Sequence, residues 1–185
     1  SHLAKYVKNQ LNGIYNSIDE LPIFGGERFE ILGTILNPSD PEHNRTNLLQ
    51  FIRSCKEYVD WVDPYFTQEI IDLFDDLYEK EPYPDVKSYR LLTAERQVKI
   101  SSGKLRPESV ESLKSYLEKF GVDFDMRVLP GEKLPHDRFL YHQGGAINMP
   151  PFSGAYGSHH HVSEYTASNT NRDLFEQYWE KAISV

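Results

Sequence analysis

Tyr58-Val59-Asp60-Trp61-Val62-Asp63-Pro64 leads through Tyr65-Phe66-Thr67 into Gln68-Glu69-Ile70-Ile71-Asp72-Leu73-Phe74. The first run is rich in β-branched and aromatic residues and is stopped by Pro64, so it predicts a strand ending at Asp63. The second places Ile70, Ile71, Phe74 and Leu77 on one helical face, with Thr67 as the expected N-cap. Asp72, Asp75 and Asp76 fall on the outer face of that helix and suggest no chemistry. A strand followed by a helix whose apolar face must be covered is the unit of a layered α/β protein.

The segments that follow repeat this alternation. Glu-Pro-Tyr-Pro at 81–84 is a loop, and Val86 to Thr93 is a second strand. A basic loop runs over 99–104, and Pro107 starts a helix that reaches about Phe120 and ends at Gly121. Val122, Phe124, Met126 and Val128 alternate inward on a third strand. Pro130-Gly131 turns the chain, and 136–141 is expected to be extended, with Gly144-Gly145 as a hairpin turn into Ala146 to Met149. A loop rich in Gly, Ser and His fills 150–161. A short strand is predicted near 162–167 and a closing helix over 169–183, with Leu174, Phe175, Tyr178 and Trp179 apolar. Upstream, a helix is expected over 3–20, a strand over 28–36, a polar loop over 39–44 and a helix over 47–58 capped by Thr46. Residues 1–44 thus read as an N-terminal helix and first strand, either part of the fold or a linker, and 45–185 as the main domain. The fold class is α/β, a mixed β-sheet flanked by helices. Tyr58, Trp61, Phe74, Phe120 and Trp179 read as core.

The chain has 185 residues, 39% hydrophobic and 26% charged, which suits one domain with a substantial core. No apolar run approaches the roughly 20 residues of a membrane span, and no leader pattern opens the chain. Ser1-His2 reads as the scar of tag removal, and the chain as part of a longer protein. Its single cysteine, Cys55, excludes an internal disulfide and fits a reducing, cytoplasmic setting. It is expected on the apolar face of the 47–58 helix, as a core residue. The net charge of −8 disfavours broad electrostatic binding to DNA or anionic membrane and leaves room only for a local phosphate pocket.

Such a pocket has candidates. In an extended His136-Asp137-Arg138, residues 136 and 138 share a face, and an imidazole beside a guanidinium suits a phosphate. A surface triplet without function has the same composition. His142 falls on the same strand face four residues on. Asp63 and Tyr65 stand where a central strand ends, and open α/β sheets collect ligands there; an Asp-Pro turn would equally account for them. Lys99, Lys104 and Arg106 around Ser101-Ser102-Gly103 offer amides and cations for an anion, or a solvated loop. His159-His160-His161 could ligate zinc, contribute to a phosphate site or remain solvated. No Cys or further His at ligand spacing completes a metal site, so none is assigned.

Asp63-Pro64-Tyr65-Phe66 after a hydrophobic strand, followed by a helix, strand, helix, strand and then a His-Asp-Arg strand with a Gly-Gly turn, resembles a phospholipase-D-like half-domain. The likeness is greatest to divergent members such as the C-terminal domain of MIT-domain proteins, and it covers about residues 45–183. It implies that His136 stands at the nucleophile, Arg138 in place of the motif's Lys and Glu164 as the carboxylate that orients the His. Asp63, Tyr65, His142, Asn148 and Ser153 would line the ligand. The motif's Asp is replaced by Gln143, and Ser153-Gly154 and Gly157-Ser158 match its Gly-Ser only loosely. No cofactor is implied. Active members form a phospho-histidine, a second His protonates the leaving oxygen, and single-motif chains supply that second His by dimerising. Three readings follow. One is a degenerate module binding a phosphate-containing ligand, such as nucleic acid or a phospholipid headgroup, or a protein partner. The second is a homodimeric, metal-independent phosphodiesterase or nuclease. The third is a structural interaction domain within a larger protein.

Overall fold

The computed structural model describes residues 35–36, 41–99, 104–131, 134, 138–143, 145–149, 160–161, 163–165 and 169–185. Its strands are β1 (Ile35–Leu36), β2 (Lys56–Val62), β3 (Asp85–Ala94), β4 (Asp123–Leu129), β5 (Phe139–His142), β6 (Gly145–Asn148), β7 (His160–His161), β8 (Ser163–Tyr165) and β9 (Ile183–Ser184). Its helices are α1 (Pro41–Ser54), α2 (Glu69–Glu79), α3 (Glu95–Val98), α4 (Pro107–Glu118) and α5 (Asn169–Lys181). The expected α/β class, a mixed sheet flanked by helices, is what the chain adopts. Among the described residues the main sheet has seven strands in the order β8-β6-β5-β2-β3-β4-β9, and β1 pairs with β7 apart from it. The expected helix over 3–20 lies outside the described residues.

β2, β3 and β4 are parallel, joined by crossovers that carry α2 and α4, while β5 returns antiparallel on the other side of β2. β2 is therefore the strand at which the sheet stops growing one way and starts growing the other. Alternation along the strands separates two cores. Val59, Trp61, Tyr89, Leu91, Phe124 and Met126 face α1, α2 and α4 in one cluster. Val62, Leu92 and Leu129 face Phe175 and Trp179 of α5 in the other. Strands buried on both faces explain why β2 and β3 read as apolar runs.

Several local expectations are corrected. α1 begins at Pro41, inside the expected polar loop, because proline at the first helical turn sacrifices no hydrogen bond. Thr46 lies inside this helix and its hydroxyl donates back to the Glu42 carbonyl at 3.0 Å rather than capping. The helix stops at Ser54, so Cys55 lies just beyond it, buried, and residues 56–58 belong to β2. Thr67 does not cap α2 through its side chain; its carbonyl accepts from Ile70 N instead, at 3.0 Å. Leu174 is 41% exposed, since Phe175 and Trp179 already fill the strip of α5 that meets the sheet. Gly121 closes α4 with φ +69°, a left-handed turn that glycine adopts without a Cβ clash. No helix of the described residues is long and apolar enough to cross a membrane.

Candidate anion site at the carboxyl edge of β2

β2 ends at Val62, and Asp63 follows fully buried. Its backbone N–H donates to the Leu92 carbonyl at 3.0 Å, continuing the β2–β3 ladder by one residue. Its Oδ1 accepts from Tyr65 N at 2.7 Å, so the carboxylate folds the chain back on itself in an Asx turn. The turn explains why Pro64 is tolerated here: the amide it lacks has no ladder partner to serve. It also fixes Tyr65, which is half-buried, at the mouth of the β2–β3 edge.

Two guanidinium groups converge on that tyrosine. Arg96 of α3 lies over the ring with its central carbon 5.0 Å from the centroid, and Arg138 lies 5.8 Å from it. Both fall within the range of cation–π attraction. Arg138 arrives from the antiparallel neighbour. Leu140 of β5 pairs with Trp61 of β2, so the residue before β5 reaches the level of Asp63. Its carbonyl accepts from Met149 N at 2.9 Å, which closes the β5–β6 hairpin and anchors its backbone. Among the described residues Arg138 forms no ion pair, and its Nε is buried without a hydrogen-bond partner.

Arg96 is held from below. Its neighbour Gln97 is buried and donates Nε2 to the Phe66 carbonyl at 2.7 Å, clamping α3 onto the turn after Asp63. Leu105 N donates to the Gln97 carbonyl at 3.1 Å, and Gln68 N to the Lys104 carbonyl at 2.7 Å. These bonds draw the end of β3, the start of α2 and the approach to α4 into one rim. Within this rim Glu95 pairs with Lys99 at 3.6 Å rather than with Arg96. Thr93, buried at the end of β3, has a hydroxyl without a partner among the described residues.

The structure thus brings together Asp63, Tyr65 and Arg138 of the expected site residues. His136 and Ser153 lie outside the described residues, as do the side chains of Glu164 and of His159-His160-His161. The Glu164 backbone pairs with Ile147 in the β6–β8 ladder, and His160 and His161 pair with Leu36 and Ile35. Two expected residues are placed elsewhere. His142 sits at the far end of β5, opposite Val59, buried with its ring edge-on to Phe51 at 5.5 Å. Its carbonyl accepts the Tyr58 hydroxyl. Four residues of strand, roughly 13 Å, separate it from Arg138. Asn148 is exposed and pairs with Phe139, whose side chain packs on the α5 side of the sheet. Arg96 was not anticipated. The signal for it was its position just past the end of a parallel strand, masked by the more basic segment at 99–106.

No family model matches this chain, and no curated protein does. Among solved structures it is similar to TrmBL2, an archaeal chromatin protein whose structure shows a novel mode of DNA binding. Identity is 14%, the TM-score is 0.43, and the match covers all of this chain, which spans 64% of that protein. A TM-score of that size carries no argument about ligand or activity.

A second charged cluster lies on the other face, and its chemistry is structural. Arg90 of β3 forks onto Asp60 of β2 at 2.8 and 2.6 Å and onto Glu176 of α5 at 3.0 and 2.6 Å. Its guanidinium also lies 5.0 Å from the Phe175 ring centre and 5.3 Å from that of Trp179. Arg172 donates to the Tyr58 hydroxyl and lies 4.6 Å from that ring's centre. The cluster docks α5 to the sheet and commits four of the five Arg90 N–H donors to the two carboxylates. The partners hold the Arg90 charge even more firmly than usual, although burial opposes it.

Proposed function

We propose that this chain is a phospholipase-D-like module that binds a phosphate-containing ligand at the carboxyl edge of β2, with Arg138 as its principal contact. The observation that carries the reading is Arg138 itself. It is anchored through its backbone, parked against Tyr65, and left with donors uncommitted among the described residues. A guanidinium in that state suits the paired oxygens of a phosphate. The place supports the reading too, since ligands of open α/β sheets bind outside the strand ends where the strand order reverses. Arg in place of the Lys and Gln143 in place of the Asp favour binding over turnover. The lone cysteine, buried Cys55, fits a cytoplasmic setting.

Calorimetric titration with diphenyl phosphate tests this. Wild type is expected to bind, and Arg138→Glu to lose binding while keeping its circular dichroism spectrum. Equal binding by the two proteins would remove the site from this edge. His136→Ala is expected to retain binding. Metal-free hydrolysis of bis-p-nitrophenyl phosphate that disappears in His136→Ala would replace the binding module with an enzyme.

A further inference from the structure

The edge described above holds one more cation than a phosphodiester requires. We propose that Arg96 and Arg138 form a two-arginine clamp for a dianionic phosphate, a monoester or terminal phosphate rather than an internal diester, with Tyr65 as its platform. This deepens the phosphate-binding reading and rests on it.

Stacking on an aromatic ring restrains a guanidinium without spending its in-plane N–H donors. Arg96 and Arg138 both use Tyr65 in this way, at 5.0 and 5.8 Å, and neither forms an ion pair among the described residues. Four of the six other described arginines are in ion pairs: Arg90 with Asp60 and Glu176, Arg127 with Asp125, Arg45 with Asp76 and Arg172 with Asp60. Two restrained cations with free donors are therefore a local exception on a chain of net charge −8. The buried Asp63 commits its Oδ1 to Tyr65 N.

Charge matching then selects the ligand. A phosphomonoester carries close to two negative charges at neutral pH, because its second pKa is near 6. It offers three terminal oxygens, enough for two forks that share one of them. A diester carries one charge and two free oxygens, which a single arginine satisfies. An internal diester also brings flanking phosphates, and a surface dominated by carboxylates repels them. The scaffold is stiff enough to discriminate. Gln97 ties α3 to the Phe66 carbonyl and the Arg138 backbone is held by Met149, so the clamp is set before the ligand arrives.

The test compares phenyl phosphate with phenyl methyl phosphate, which differ by one ester methyl and one charge, by calorimetry at pH 7.5. Wild type is expected to bind the monoester about tenfold tighter, the usual worth of one further charge-assisted contact. In Arg96→Gln that ratio is expected to collapse towards one with diester affinity unchanged, and Arg96→Lys is expected to restore part of it. Equal affinity of wild type for both ligands would overturn the clamp and leave the phosphate site standing. A tenfold preference that survives in Arg96→Gln would also overturn it. Binding of neither ligand would overturn both readings.

Discussion

Asp63 shows how much one side chain can decide. It ends β2, continues the ladder to Leu92 through its amide, and turns the chain by accepting Tyr65 N at 2.7 Å. Asp63 is itself buried, so removing its carboxylate takes the acceptor from the Tyr65 amide. Asp63→Ala is expected to cost about 1–3 kcal/mol, the penalty of an unsatisfied buried donor. Asp63→Asn, which keeps an acceptor oxygen, is expected to cost less. Urea unfolding of the three proteins gives the comparison, and equal midpoints would show that the turn holds without the side chain. The strand end at Asp63 was legible, because Asp-Pro after a hydrophobic run reads as the turn that terminates it. Arg96 was not, since nothing in Thr93-Ala94-Glu95-Arg96 says that its side chain will reach the Tyr65 ring 31 residues upstream.

α5 depends on a different balance. It covers the second face of the sheet through Phe175 and Trp179, and its polar attachment is the fork from Arg90 to Glu176. Arg127 adds to this, lying 4.3 Å from the Trp179 ring centre and donating to the Trp179 carbonyl at 3.2 Å. Hydrogen bonding from Arg90 holds the Glu176 carboxyl below its ordinary pKa, against the opposing effect of burial. A depressed carboxyl stabilises the fold above the unfolded value of about 4.3 and loses that contribution as pH falls through the folded value. Glu176→Gln should therefore lower Tm at pH 7, and the gap from wild type should close as pH falls below about 4. Thermal melts across pH 3–7 measure it; a gap independent of pH would mean that the glutamate contributes packing alone. The exposure of Glu176, 46% of its side chain, keeps the expected effect small. The apolar period of α5 was readable in advance. Its partner, Arg90, lies 86 residues away and was not.

At the level of the molecule, a seven-stranded sheet is covered on one face by α1, α2 and α4 and on the other by α5. Residues 169–185 supply both α5 and the edge strand β9, and Val185 N donates to the Met126 carbonyl at 2.9 Å. Deleting them would expose Val62, Leu92, Leu129 and Tyr141 together. A contiguous exposed apolar patch of that kind promotes aggregation. The truncated chain is expected to lose cooperative thermal unfolding and to aggregate, as circular dichroism and light scattering would register. Retention of a sharp transition at the wild-type Tm would show that the first core suffices alone.

The pattern of strands and helices, the proline and glycine boundaries and the inward faces of β2, β4 and α2 all lie in local spacing, because periods of two and 3.6 residues are printed in the chain itself. Local spacing also marked Asp63, Tyr65 and Arg138 as candidates. It could not place them against one another, nor send His142 to the far end of its strand and Asn148 to the other face. Those outcomes depend on the antiparallel register of β5 on β2 and on which helix covers which face. Register is a property of two segments some eighty residues apart, fixed by burying Leu140 and Trp61 in the same layer, and no single stretch of sequence contains it.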